Sequence, residues 1–387
     1  MAVKISRQPK SVVLIGAPTS AGAHAVGCEA APAALRRAGI AARLQQIGFD
    51  ISEGGDIHTN IFRPDDESPR ARNARPVVKS LEALQPLAEK AVKSGGLPVI
   101  LGGDCTITLA VLAAIRRYHK DVSLIYCDGD ADLNTPATTP SGYFDGMVVA
   151  HIAGQGAAEL VRFFKEPPLV REPDIALFGL SRTDPGEQEW LDRSPMRRFT
   201  PEEIREIGAA DAAQAALDRI HIFNRQWVLH FDVDVLSSDD FPASEFGTPG
   251  GLRFDEARAA LEVFLQHANL AAVVITEYVP SKDPDGAAAA RLLDLFAAAM
   301  KTRYAKQVAG EESKDTEEAK EVKEEKEAKE VMAAEEVKEQ AASESAVEPS
   351  APAAAEATGE VEAEASAETN TEAEAEAGSG EQVSETA

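Results

Sequence analysis

The chain reads as an α/β protein with a mainly parallel sheet, and three observations predict it. Short apolar runs alternate with longer helical patterns from residue 11 to residue 305. The runs are continuously apolar rather than alternating, as expected of strands covered on both faces. Charge is segregated: most of the net −26 lies beyond residue 310, which leaves the preceding chain with an ordinary balance.

In chain order, the first strand is expected at Val12–Ile15, ahead of a helix over Val77–Ser94. A strand at Pro98–Leu101 leads into a helix at Ile107–Tyr118, and Val122–Cys127 and Asp174–Phe178 supply two more strands. Pro201 with Glu202 and Glu203 opens a helix reaching Arg219, because a Pro and two carboxylates suit a first turn. Trp227–Phe231 and Ala272–Thr276 are the last strands, with a helix over Phe254–His267 between them. Each strand candidate is rich in Val, Ile, Leu or aromatics and is bounded by Gly, Asp or Pro.

Residues 1–305 are therefore expected to form one α/β domain, and 306–387 an acidic Ala/Glu-rich tail of low complexity. From Glu311 to Ala387 there are 24 Glu, one Asp and six Lys, and no Phe, Tyr or Trp. Such a segment cannot bury enough apolar surface to offset its ordering entropy, so disorder is expected. Glu and Lys three or four apart also allow a solvated charged helix over Glu311–Ala341.

Several classes are made unfavourable. An acidic chain without a basic patch is poorly built to neutralise phosphates, so no nucleic-acid partner is expected. No 18-residue apolar run is present, so no membrane partner is expected either. The basic start, MAVKISRQPK, passes directly into the first strand without the apolar region of a signal peptide. Cys28, Cys105 and Cys127 are odd in number and widely spaced, which suits a reducing cytoplasm better than a disulfide framework.

Chemistry concentrates where the strands end. Val122–Cys127 runs into Asp128, Asp130 and Asp132, and Trp227–Phe231 into Asp232 and Asp234. Acids two apart in extended chain point to one side, so these carboxylates are expected to converge. Ionised carboxylates sharing a small volume require a cation, and an oxygen-rich site favours Mg, Mn or Ca. Open α/β sheets bind ligands outside the carboxyl ends of their strands, where both clusters fall. Solvated turn acids are the plain alternative for either cluster alone. An EF-hand loop is disfavoured by Leu133 at position six and Thr139 at position twelve. A third strand end, Gly102-Gly103-Asp104-Cys105, adds a tight turn and further donors.

With these residues the chain resembles the ureohydrolase (arginase/agmatinase) family, whose manganese site is carried by G-G-D-H, D-A-H-x-D and S-F-D-x-D motifs. Here they stand as Gly102-Gly103-Asp104-Cys105, Asp128-Gly129-Asp130-Ala131-Asp132 and His230-Phe231-Asp232-Val233-Asp234. Asp132-Leu133-Asn134-Thr135-Pro136 is similar to the arginase D-I-N-T-P run, with Ser141-Gly142 following. Gly179-Leu180, Asp184-Pro185-Gly186-Glu187, Gly247-Thr248-Pro249 and Glu277-Tyr278-Val279-Pro280 are similar to later family segments, and Gly16-Ala17-Pro18 and Gly27 to its first loop. The likeness spans about residues 11–305 in order.

The resemblance implies a three-layer α/β/α domain and hydrolysis of a linear C–N bond in a guanidino or amidino compound. Its most specific form is arginine, or a modified arginine, giving urea or a urea derivative and ornithine. It implies two divalent metals, Mn foremost, held by Cys105, Asp128, Asp130, Asp132, Asp232 and Asp234, with Asp128 and Asp232 shared between them. The metals lower the pKa of a water for attack on the guanidinium carbon, and Asp128 handles the proton. Glu277 pairs with the guanidinium, with Thr248 beside it. Asn134 and Ser141 hold the substrate carboxylate and Asp184 its amino group. A cytoplasmic homo-oligomer, trimer or hexamer, follows by analogy.

Four departures from the family pattern bear on this. Cys105 and Asp130 replace histidines, which adds negative charge and admits Zn or Fe at the thiolate. Asp145 stands where arginases carry a His used in proton transfer, and Arg182 where the family commonly has an Asp. Arg182 either offsets the added acids or binds a substrate carboxylate. The alternative reading is a non-catalytic, arginase-like binding or assembly protein with a weakened metal site. Cys105 and Asp130 favour it, and the intact carboxylates oppose it. A deacetylase on a related fold expects a paired-His base that the sequence lacks. His151, in an apolar run, reads as a core histidine, and His230 has no evident partner.

Overall fold

The computed structural model describes residues 8, 10–163, 166–220, 225–309 and 329. The expected acidic tail, 306–387, lies outside the described residues except for 306–309 and Lys329. Among the described residues eight strands form a single sheet in the order β2-β1-β3-β8-β7-β4-β5-β6. These are β1 Ser11–Gly16, β2 Asp50–Asp56, β3 Leu97–Leu101, β4 Val122–Cys127, β5 Ile175–Phe178, β6 Arg197–Phe199, β7 Gln226–Asp232 and β8 Leu270–Thr276. Every pairing between them is parallel.

The alternation of side chains along each strand divides the core in two. Val12, Leu14, Val99, Leu101, Val273 and Ile275 face one layer, and Val13, Ile15, Ile100, Ala272 and Val274 face the other. The first layer holds helices α1 (Ala31–Arg37), α2 (Ile40–Ile47), α9 (Ala209–Arg219) and α10 (Phe254–Leu265), with a last helix over 287–309. The second holds α3 (Ala74–Ser94), α4 (Ile107–Arg116), α5 (Val148–Ile152) and α6 (Ala158–Phe163). Two helix layers explain why β3, β4 and β8 are buried along their whole length. The fold is thus the three-layer α/β/α arrangement. Among the described residues no helix is long and apolar enough to cross a membrane.

Two strands escape the apolar-run criterion. Both β2, with sequence DISEGGD, and the three-residue β6, RRF, are edge strands that pair on one side only. Exposure there removes the pressure for apolar residues. The helix expected over Pro201–Arg219 is broken by Gly208 (φ 95°) into α8 (Pro201–Ile207) and α9. Its start is as expected, with Thr200 Oγ1 accepting the Glu203 N–H at 3.2 Å. The last helix continues through 309, past the boundary expected at 305.

Candidate active site

The four strands that carry the acids, β3, β8, β7 and β4, are consecutive in the middle of the sheet. Because all run parallel, their carboxyl ends meet at one edge, where a cavity of about 500 Å³ opens. Cys105, Asp128, Asp130, Asp132, Asp232, Asp234 and Glu277 line it, together with Asn134, Ser141, Asp145, Arg182 and Asp184.

The acids converge, but not by strand alternation. At the end of β4 the Asp130 N–H donates to Asp128 Oδ1 at 2.7 Å, and at the end of β7 the Asp234 N–H donates to Asp232 Oδ1 at 2.7 Å. Each pair is a side-chain-closed turn, and the chain leaves extended conformation immediately after the strand. Gly129 joins the two turns, its N–H donating to Asp234 Oδ1 at 3.2 Å. Asp132 and Glu277 sit at φ 49° and 61°, left-handed values that are strained for non-glycine residues and cluster at working sites.

Among the described residues, two groups of donor atoms are close enough to hold a metal ion. One comprises Cys105, Asp128, His230 and Asp232, the other Asp128, Asp130 and Asp234, with all donor atoms of each group within 4.8 Å of one another. Cys105 Sγ donates to Asp232 Oδ2 at 2.9 Å and lies 3.6 Å from His230 Nε2, while the Cys105 N–H donates to Glu277 Oε1 at 3.1 Å. Asp132 is in neither group. Tyr126 Oη donates to its carboxylate from β4.

Electrostatics explain why a cation belongs here. Burial first, then neighbouring carboxylates, push Asp128, Asp132, Asp234 and Glu277 well above the usual carboxylate range. Burial likewise pushes the Cys105 thiol up and Asp232 to about 6, and it lowers His230 to about 3. Without a cation these buried groups favour their protonated forms, and a bound cation would favour the charged ones. The donor set of thiol, imidazole and two carboxylates fits one divalent ion, with His230 Nδ1 paired to Thr108 Oγ1 at 2.7 Å and Nε2 turned to the cluster.

His230 therefore has partners that its sequence position does not announce. It also stacks on Tyr126, with ring centroids 4.0 Å apart and planes 5° apart. Its two-residue offset from Asp232 on β7 was the available signal. A second overlooked residue is His24, whose Nδ1 lies 3.0 Å from Asp145 Oδ2 and whose ring packs against Tyr143 and Phe246. Asp145 is thus half of a carboxylate–imidazole pair on the cavity wall.

Arg182 does not present a free guanidinium to a substrate. Its Nε donates to Asp130 Oδ1 at 2.9 Å, its Nη2 to Asp130 Oδ2 and to Asp234 Oδ2 at 3.0 Å, and its Nη1 to Gly247 O at 2.7 Å. Of the two roles open to it, offsetting the added acids is the one the geometry favours. Asn134 Nδ2 donates to Asp184 Oδ2 at 2.7 Å, so these two stand together at the start of α7 (Pro185–Leu191), with Ser141 on the same cavity. Glu187 braces that wall, accepting the N–H groups of Asp184 and Leu133 at 2.7 and 2.9 Å.

Thr248 lies apart from these residues. It is fully buried and off the cavity wall, because its backbone carbonyl is tied to Ser238 and Gly251 and its hydroxyl turns toward Gly129 without a hydrogen-bond partner. Asp104 is not a donor to the site either. Its carboxylate accepts from Gly22, Thr19 and Thr106 and so fixes the turn before Cys105. His151 is a satisfied core histidine, with Nδ1 paired to Met147 O at 2.6 Å and Nε2 accepting the Ala157 N–H at 3.0 Å.

Comparison with known proteins agrees with this architecture. The arginase family model matches residues 10–300. The arginase of Brevibacillus brevis is 31% identical over 276 residues, 71% of this chain and 92% of its own length. The native structure of Bacillus caldovelox arginase superposes with a TM-score of 0.70 at 26% identity, covering 76% of this chain and 98% of that one. Formimidoylglutamase of Bacillus subtilis shares the fold at 19% identity, with a TM-score of 0.61 over 78% of this chain and 88% of its own. On the family match and the identity to its relatives, the chain belongs to the arginase family of ureohydrolases.

Proposed function

We propose that this ureohydrolase hydrolyses the linear C–N bond of a small guanidino or amidino compound, and that arginine, or a modified arginine, giving urea or a urea derivative and ornithine is its most specific substrate class. The observation that carries the reading is the cavity at the carboxyl ends of the central strands. Cys105, Asp128, Asp130, Asp132, Asp232, Asp234 and Glu277 line it together with Asn134, Ser141 and Asp184.

Of the pair of divalent ions that family likeness implies, Mn foremost, the first has a complete donor set in Cys105, Asp128, Asp232 and His230. Its thiol also admits Zn or Fe. When bound, such an ion supplies Lewis acidity and a lowered pKa for water. The chain does the rest. Glu277 faces the guanidinium with a buried carboxylate, which gives a charge-assisted contact in low dielectric. Asn134 and Ser141 offer an amide and a hydroxyl to a substrate carboxylate, and Asp184 an anion to its amino group. Asp128, on the same cavity, is the group that would hold the proton of the attacking water. The His24–Asp145 pair is a relay for it to solvent, because His24 is partly exposed and Asp145 raises its basicity against burial.

A cytoplasmic homo-oligomer belongs to the same reading, supported by family likeness and by three free, buried cysteines. The non-catalytic alternative draws on Arg182, which neutralises part of the acid cluster. Urea and ornithine release from arginine and from guanidino and amidino analogues, with and without chelator, separates the two. Chelator-sensitive release supports the hydrolase, and no release from any of them supports the alternative.

A further inference from the structure

The second group of donors is filled by the chain's own cation. Asp128, Asp130 and Asp234 present carboxylate oxygens within 4.8 Å of one another, close enough to hold a metal ion. The Arg182 guanidinium is seated on two of those three residues, bidentate on Asp130 and in contact with Asp234 at 3.0 Å. Its remaining arm is taken by the Gly247 carbonyl at 2.7 Å. The base of the side chain is fixed as well. The Ser181 and Arg182 N–H groups both donate to Gly129 O at 2.9 Å, on the same turn that carries Asp130.

A planar fork matched to a carboxylate is a pre-organised pairing, and each donor it uses must be given up before another cation can enter. A divalent ion at this position would therefore face a fixed positive charge and would have to strip Asp130 from its partner. The first group is free of such a competitor: among the described residues no Lys or Arg contacts Cys105, Asp128, His230 or Asp232 in a salt bridge. Asp130 and Arg182, each a departure from the family pattern, are here each other's partner.

We propose that the centre binds one divalent ion, at Cys105, Asp128, His230 and Asp232, and that the Arg182 guanidinium replaces the second ion at Asp128, Asp130 and Asp234. This rests on the metal-dependent reading for the first ion and departs from it for the second. In that arrangement His230 restores an imidazole to the first position, while charge at the second is permanent and independent of metal supply.

The test is metal stoichiometry of the full chain, loaded with Mn or with Zn and dialysed against metal-free buffer, with folding checked by circular dichroism. The wild type is expected to retain one ion per chain. Arg182→Ala, and the double variant Asp130→His with Arg182→Asp, are expected to retain two. In the Co-loaded wild type a thiolate-to-metal absorption band is expected, lost in Cys105→Ser, which places the single ion at the first position. Two ions in the wild type, or one ion in every folded variant, overturns the proposal while leaving the metal-dependent reading in place. No ion in any form overturns both.

Discussion

Replacing Glu277 with glutamine separates the cost of this site from its use. Glu277 is 7% exposed, its Oε1 accepts the Cys105 N–H at 3.1 Å, and burial, followed by Asp232 and other acids, holds its carboxyl well above the ordinary 4.5. A carboxyl raised in the folded state favours folding below its unfolded pKa, and that advantage is lost as pH rises. In the metal-free protein the resulting penalty at pH 7 is bounded by the interval above 4.5, at most about 3 kcal/mol. Glutamine keeps an oxygen for Cys105 and removes the charge. At about 2 °C per kcal/mol for a body of this size, metal-free Glu277→Gln should melt up to ~6 °C above wild type at pH 7. The two should melt together near pH 4, where both side chains are neutral. Catalysis moves the other way. A substrate guanidinium that loses its buried anion forfeits about 3–4 kcal/mol, so kcat/KM for arginine should fall ~10²–10³-fold. Thermal unfolding at both pH values and steady-state urea release measure the two arms. A variant that melts below wild type at pH 7 and keeps kcat/KM within about fivefold would refute the reasoning.

Three further changes probe the surroundings. Tyr126→Phe keeps the ring stacked on His230 but removes the donor to Asp132, so urea denaturation of the metal-free protein should show a loss of about 1.5–3 kcal/mol. Its metal content after loading should be unchanged. In Gly129→Ala the new methyl would lie 2.5 Å from Thr248 Oγ1, which should cost about 1–3 kcal/mol. Adding Thr248→Ala, whose hydroxyl has no partner to lose, should recover most of it in a double-mutant cycle. Burial holds His151 neutral and lowers its pKa from 6.5 to about 4, so its contribution is fully present above pH 6.5 and is lost as pH falls toward 4. Relative to wild type, His151→Gln should therefore gain about 3 kcal/mol between pH 7 and pH 4, read from urea midpoints at each.

The central strands were legible because burial on both faces writes itself as uninterrupted Val, Ile and Leu, as in Val122–Cys127 and Leu270–Thr276. β2 and β6 were not, since an edge strand needs backbone pairing but no apolar face. In the site, Asp128, Asp130, Asp232 and Asp234 could be read because each lies within three residues of a strand end. His24 meets Asp145 across 121 residues and Arg182 meets Asp130 across 52, and no local pattern records either contact. His230 was within reach, two residues before Asp232 on one strand, but its partners Cys105 and Thr108 lie 125 and 122 residues away and no local pattern shows them. The side of the turn that the Thr248 hydroxyl takes was not legible either, because a motif fixes only the backbone course.

The most direct test of the account is to purify the full chain, remove metal with chelator, reload with Mn, Zn or Fe(II), and measure bound metal and urea release from arginine on the same samples, alongside Asp232→Ala. The account predicts that metal and urea release return together in wild type and that Asp232→Ala recovers neither. Retention of no metal under any loading, or equal urea release from Asp232→Ala, would contradict it.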